Sequence, residues 1–171
     1  FREAFEAQPR NAVYLTNILE ALEQSGLWAQ ALDFLREHLD RFSENRAVLA
    51  REAALLHRNE RNAEAAEKYA VLFDGGYEDD DSLLSYLGML TGDGQHDRAI
   101  EAVARYLERR GNPSLRARRW QGQVFSHAGK TDEAVAVFAK LVDENPDNPQ
   151  FADDLVEALV DGERAGEALE K

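Results

Sequence analysis

A short apolar segment that recurs at nearly constant spacing constrains this 171-residue chain more than any other feature. Residues 128–142 read AGKTDEAVAVFAKLV, and each related segment is anchored by a small residue. The anchoring alanines are Ala31, Ala65, Ala99, Ala134 and Ala168. The steps between them are 34, 34, 35 and 34 residues. A fixed period in this range is typical of helical solenoids, in which each unit packs only against its neighbours.

Apolar residues at helical spacing, interrupted by glycine, proline and asparagine, predict two helices in each period. The predicted helices span 1–8, 12–24, 28–41, 46–58, 62–73, 82–91, 96–110, 114–127, 131–144 and 149–161, and a last one begins near Arg164. Asn11 and Asn148 are predicted N-caps, as is Asp80 or Asp81. Gly111 is expected to end one helix and Pro113 to open the next. The short connections require antiparallel helix hairpins.

The charge balance argues against nucleic-acid binding. The chain carries 33 acidic and 20 basic side chains, a net charge of −13, and this field repels phosphate backbones. Basic peptides or cationic polymers as partners, or a simple contribution of the charge to solubility, fit this composition better. No apolar run approaches the ~18 residues of a membrane span. The absence of cysteine excludes disulfides and thiolate nucleophiles and leaves the compartment open.

No catalytic, metal or cofactor site is predicted. The histidines lie in different repeats without the i, i+4 pairing that holds a metal; they are His38, His57, His96 and His127. Ser126 and His127 are adjacent on a helix and so point about 100° apart, which does not suit a nucleophile and its base. The acidic run 78–81 lacks the alternation of a calcium loop and is interpreted as a solvated loop with an N-cap.

These residues resemble the tetratricopeptide repeat family over the whole chain. When each anchoring alanine is numbered 20, the large apolar residue of position 11 is matched by Leu22, Leu56, Leu90, Phe125 and Leu159. The small residue of position 8 is matched by Ala53 and Gly122, whereas Leu19, Leu87 and Val156 should hold their helix pairs further apart. The resemblance implies an all-α right-handed superhelix of about five repeats plus an N-terminal half repeat.

We expect a single solenoid segment of a longer array. Its predicted divisions are 1–10, the end of a preceding repeat, then 12–45, 46–79, 80–114, 115–148 and a truncated 149–171.

In the resembling family the first helix of each repeat lines a concave groove in which extended partners bind. By this resemblance the candidate partner-binding residues are Arg116, Arg119, Trp120, Gln123, His127, Asp153, Glu157 and Asp161. Arg116 and Arg119, with Arg118 near, form a basic patch beside an acidic one that also includes Asp154. The alternative is that the two patches pair with each other between repeats. Trp120 is interpreted either as core or as an aromatic platform.

The main functional hypothesis is a non-enzymatic protein–protein interaction scaffold. The acidic, cysteine-free repeats also look like the periplasmic repeat region of bacterial exopolysaccharide secretion proteins of the Pel, cellulose and poly-N-acetylglucosamine systems. That resemblance implies recruitment of a polysaccharide-modifying enzyme during biofilm formation, with the periplasm favoured over the cytoplasm. Two alternatives stay open: a cytoplasmic regulatory or assembly module, and direct binding of a cationic polysaccharide along the groove, for which Trp120 and Tyr86 are the plausible aromatics.

Overall fold

The computed structural model describes residues 2–162 and divides the chain into two compact units, residues 1–77 and 78–171. Every regular element in the described part is helical. The first unit contains α1 (Arg2–Ala7), α2 (Ala12–Gln24), α3 (Trp28–His38), α4 (Arg46–Arg58) and α5 (Asn62–Asp74). The second contains α6 (Asp80–Gly92), α7 (His96–Arg109), α8 (Leu115–His127), α9 (Thr131–Glu144) and α10 (Pro149–Asp161). The helix predicted from Arg164 and the anchor Ala168 lie outside the described residues.

The all-α helical-repeat fold expected from the sequence is confirmed, and several helix ends agree to the residue. Asn11 and Asn148 are N-caps whose side chains accept hydrogen bonds from Val13 N and Gln150 N, and Pro149 opens α10. The predicted helix 28–41 is shorter, because α3 ends at His38 and the chain continues as the 3-10 turn Leu39–Phe42.

Two predicted helix starts are wrong. The N-cap of α6 is Asp79, which accepts from Ser82 N at 2.8 Å, and Asp80 is already the first helical residue. The N-cap of α8 is Ser114, so Pro113 lies before the helix and does not open it, and Arg110 replaces Gly111 as the C-cap of α7. Ser114 also donates a hydrogen bond to Asp80 (Oγ–Oδ2 2.6 Å), so the starts of α6 and α8 are in contact.

The anchoring alanines form the crossing points of the helix pairs. Ala31, Ala65, Ala99 and Ala134 are completely buried. A methyl side chain at this position lets two helix backbones approach while a large residue of the partner helix fills the remaining space. Leu56 and Leu90 have this second role and are also completely buried. The 34-residue period in the sequence therefore corresponds to the same helix-packing contact made once in each repeat.

In the four helix hairpins of the described residues, the residue size at position 8 matches how extensively the two helices pack, as expected, whereas the hairpin expected at Val156 lies outside these residues. The α4/α5 and α8/α9 pairs, which carry Ala53 and Gly122 there, pack together more extensively than α2/α3 and α6/α7, which carry Leu19 and Leu87. At Gly122 an added Cβ would lie 2.5 Å from Cε1 of Phe138, so a larger residue would force the Phe138 ring to move.

A left-handed residue follows the first helix of each described full repeat. Gly26, Gly94 and Gly129 occupy it with φ between 69° and 72°, whereas the second repeat places Glu60 there at φ 62°. At each site the next backbone N–H bonds back to the large apolar residue of position 11, as in Gln95 N to Leu90 O at 2.8 Å and Arg61 N to Leu56 O at 3.0 Å. This Schellman arrangement reverses the chain into the second helix.

Candidate functional site

Ion pairs between arginine and carboxylate join the first helices of neighbouring repeats within each unit. In the first unit Arg51 of α4 binds Glu23 of α2, with Nε–Oε1 2.8 Å. In the second unit Arg116 of α8 binds Asp81 of α6, with Nη2–Oδ1 2.7 Å, and Arg119 of α8 binds Asp154 of α10. The candidate residues lie on α8 and α10. The exposed surface of α6, α8 and α10 is called here the groove face.

The pair Arg119–Asp154 is the most enclosed of these contacts. The guanidinium donates from Nε to Oδ2 and from Nη2 to Oδ1, the second bond measuring 2.8 Å, while Asp154 is only 8% exposed. The hydrogen bond to Asp154 raises the pKa of Arg119 above its usual value, although desolvation acts in the opposite direction. The guanidinium of Arg119 is therefore already bound to a carboxylate of the protein. This agrees with the alternative in which the basic and acidic patches pair with each other.

The basic patch expected on α8 is not free. Arg116 is paired with Asp81, and Arg118 donates to Glu144 of α9. Only Arg119 pairs with the acidic patch of α10, so the expected pairing of the two patches is found in part.

Trp120 is a core residue. Its side chain is 5% exposed, and the guanidinium carbon of Arg116 lies 4.9 Å from a ring centroid of the indole. Burial leaves the indole no open face on which a ligand could stack. Tyr86, the other aromatic considered for sugar binding, is 4% exposed.

A cavity of about 230 Å³ lies between α8, α9 and α10. Four of the candidate residues line it, two on α8 and two on α10. They are Gln123, His127, Glu157 and Asp161. Ser126, Phe138, Asp154 and Ala158 complete the lining. Asp153 is exposed on α10 but does not line the cavity.

The cavity combines apolar walls with carboxylates that have no ion-pair partner in the described part of the chain. Phe138 and Ala158 contribute the apolar surface. Glu157 and Asp161 are exposed and four residues apart on α10, so their side chains lie on one face of the helix. Across the cavity, His127 is exposed and its Nδ1 lies 2.7 Å from the backbone oxygen of Gln123. This arrangement suits a cation carried on an aliphatic chain.

The acidic residues 78–81 at the start of α6 make contacts with other residues of the same chain. Asp79 caps the helix, Asp81 binds Arg116, and Glu78 lies 3.7 Å from Arg110. Asp80 accepts hydrogen bonds from Tyr106 (Oη–Oδ1 2.6 Å) and Ser114, and pairs with Arg110 (Nη1–Oδ1 2.7 Å).

This cluster changes the ionisation of two of its members. Partial burial opposes ionisation of Asp80, but the hydrogen bonds and the arginine charges outweigh it and lower its pKa. Burial, followed by the hydrogen bond to Asp80, raises the pKa of Tyr106. The spacing of these residues in the sequence gave no sign of the cluster.

In residues 2–162 no three histidine, aspartate or glutamate side chains are arranged to hold a metal ion. The helices of this part are too short or too polar to cross a bilayer. His38 packs against Phe5 and Phe34, with ring centroids 4.9 and 4.7 Å apart, as a packing residue would.

Comparison with known proteins identifies the repeat. Residues 92–149 match the tetratricopeptide repeat family model, a stretch that runs from the end of α6 to the start of α10. No curated protein matches the sequence significantly.

Solved structures show the same fold across nearly the whole chain. A tetratricopeptide repeat protein from Parabacteroides merdae is 20% identical with a TM-score of 0.76, covering 99% of this chain and 67% of its own. YrrB, described as a TPR protein with an unusual peptide-binding site, is 22% identical with a TM-score of 0.73 and coverages of 99% and 87%. MamA from Desulfovibrio magneticus is 16% identical with a TM-score of 0.74 and coverages of 93% and 89%. The chain thus has the fold of tetratricopeptide repeat proteins and carries the family's sequence signature in residues 92–149.

Proposed function

We propose that this chain is a non-enzymatic scaffold that docks an extended segment of a protein partner on the groove face of its second unit. Tetratricopeptide repeats are in general protein-interaction modules, and the similar protein YrrB is described as binding a peptide. The cavity between α8 and α10 carries the proposal, because it brings together four residues that the repeat register assigns to the groove.

The chemistry of the cavity favours a partner segment with a lysine or arginine. Arg119 already reaches Asp154 at the edge of the cavity, which shows that an arginine can bind a carboxylate there. Glu157 and Asp161 have no ion-pair partner among residues 2–162, and Phe138 and Ala158 offer contact to an aliphatic stem. The net charge of −13 also increases the rate of encounter with basic partners.

A narrower form of the proposal places the protein in exopolysaccharide secretion, where the docked partner is a polysaccharide-modifying enzyme and the compartment is the periplasm. It rests on the resemblance of composition described above. Co-purification of such an enzyme with the full-length protein would support it, and recovery of only a cytoplasmic regulatory or assembly partner would replace it with the module alternative.

Direct binding of a cationic polysaccharide is the second candidate, since Glu157 and Asp161 would attract amino groups of a sugar polymer as well. Sugar rings usually need an exposed aromatic surface to stack on, and both aromatics considered for this role are buried. The protein partner is therefore the better supported of the two.

Affinity capture with the full-length protein tests the proposal. The informative variant is Glu157→Gln with Asp161→Asn, which removes two charges while keeping side-chain size. Its matched control is Glu133→Gln with Asp143→Asn, which removes two exposed charges from α9. Loss of one specific protein in the first variant and its retention in the control would support docking at the cavity. Equal capture by both variants would exclude this site.

A further inference from the structure

A second cavity, in the first unit, is lined by three arginines. It has a volume of about 680 Å³ and lies where the loop before α2 meets the 3-10 turn and the start of α4. Arg10, Arg41 and Arg46 line it together with residues 42–45. All three arginines are exposed.

These arginines differ from the other cationic side chains of the first unit in that they lack an intramolecular partner in the described residues. Between residues 3 and 77 each other arginine or lysine has a partner within the protein. Arg36 and Lys68 bind the buried Glu52, Arg51 binds Glu23, Arg61 binds Glu64, and Arg58 lies over the ring of Trp28. No described carboxylate lies within ion-pair distance of Arg10, Arg41 or Arg46. Within residues 3–77 the three guanidinium groups without such a partner are thus the three that line this cavity.

We propose that this cavity binds a phosphate-type oxyanion, such as the phosphoryl group of a phosphorylated protein segment. A guanidinium presents a planar set of N–H donors that matches two oxygens of a phosphate. A phosphate monoester carries a charge of about −1.5 to −2 at pH 7 and three acceptor oxygens, so it can bind several arginines at once. A single carboxylate offers two oxygens and one charge, which makes it a poorer match for three guanidinium groups.

The surrounding charge does not cancel this preference. Glu44 is the one acidic residue among those that line the cavity, so the lining keeps an excess of two positive charges. Charges further away than about 8–10 Å are largely screened at physiological ionic strength, so the net charge of −13 acts only weakly on a single bound anion. A long polyanion would still meet the acidic remainder of the surface, which limits the site to an isolated phosphate group.

Titration calorimetry on the whole chain at physiological ionic strength tests the inference, with inorganic phosphate and a phosphoserine peptide as probes. The test variant is Arg10→Gln, Arg41→Gln and Arg46→Gln. The matched control is Arg51→Gln, Arg58→Gln and Arg61→Gln, which removes three charges of the same unit outside the cavity and leaves the partners of the buried Glu52 in place. Thermal unfolding of each protein shows whether the fold is retained, and the single variant Arg41→Gln gives a second measurement if a triple variant unfolds.

We expect both probes to bind the wild type and the control with similar affinity. Their affinity for the cavity variant should be at least tenfold lower. Tighter binding of the phosphoserine peptide than of inorganic phosphate would identify a phosphorylated segment as the source of the anion, and equal affinity would identify the free ion. Absence of binding to the wild type, equal binding to the cavity variant, or equal affinity for the same peptide carrying glutamate in place of phosphoserine would overturn the inference.

Discussion

Arg119 on α8 and Asp154 on α10 form a two-bond ion pair between residues 35 positions apart, one repeat period along the chain. Because Asp154 is only 8% exposed, its charge has little access to water and depends on the guanidinium. A residue assigned to partner binding by the repeat register thus also links two repeats. Tests of binding should therefore change Glu157 and Asp161 and leave Arg119 in place.

The replacement Arg119→Met is expected to lower the free energy of unfolding by about 2–3 kcal/mol, because it leaves Asp154 buried without its partner. Adding Asp154→Leu should recover much of this loss, because the double variant contains no unpaired charge. Urea denaturation of the single and double variants measures the coupling. If the free energies of unfolding of the single variants lie within about 0.5 kcal/mol of the wild-type value, the pair adds no stability.

The replacement Gly122→Ala is expected to destabilise the second unit by about 1–3 kcal/mol, because the new Cβ would meet the ring of Phe138 at 2.5 Å. Gly88→Ala is the matched control. Gly88 also lies inside a helix of this unit, but an added Cβ would have no heavy atom within 4 Å. The control should gain about 0.5–1 kcal/mol from helix propensity. Thermal denaturation shows whether the two changes have opposite signs, and a stabilising Gly122→Ala would mean that α8 and α9 separate at little cost.

The replacement Glu60→Gly is expected to stabilise the first unit by about 0.5–1 kcal/mol. Glu60 adopts φ 62° at the position where three other repeats place glycine, and this conformation costs a residue with a side chain about 1–2 kcal/mol. The greater freedom of glycine in the unfolded chain offsets part of the gain. Gly94→Ala, the reverse change at the equivalent turn, should lower stability by a similar amount. A loss of stability in Glu60→Gly would show that the turn is not strained.

Stability should depend on the ionisation of Asp80. Its pKa is lowered in the folded protein, so its carboxylate stabilises the fold above the unfolded-state pKa of about 3.9, and this contribution is lost as the pH falls through the folded-state value. Asp80→Asn should cost about 1–3 kcal/mol at pH 7, because it weakens the hydrogen bonds from Tyr106, Arg110 and Ser114.

Urea denaturation of the wild type and of Asp80→Asn between pH 7 and pH 2.5 measures this contribution. The difference in free energy of unfolding between the two proteins should become smaller below about pH 4. Asp147→Asn is a control at an exposed aspartate outside this cluster. A difference that stays constant with pH would show that ionisation of Asp80 does not contribute.

Features that depend on nearby residues were predictable from the sequence. The helix periods, the caps at Asn11 and Asn148, and the effect of residue size at position 8 each follow from a few neighbouring residues or from one repeat period. The Asp80 cluster joins residues 26 to 34 positions apart, and the sequence alone does not show which way their side chains turn. For the same reason the burial of Trp120, one position from a groove residue, could not be decided before the structure.

The most direct test of the proposed docking site is the binding of two short extended peptides, identical except for a central lysine or glutamate. Fluorescence anisotropy with the wild type, with Glu157→Gln/Asp161→Asn, and with the Glu133→Gln/Asp143→Asn control gives three affinities for each peptide. The proposal predicts that the lysine peptide binds the wild type and the control with similar affinity and binds the cavity variant at least tenfold more weakly. It also predicts that the wild type binds the lysine peptide more tightly than the glutamate peptide. Equal affinity of the lysine peptide for all three proteins would contradict docking of a basic side chain between α8 and α10.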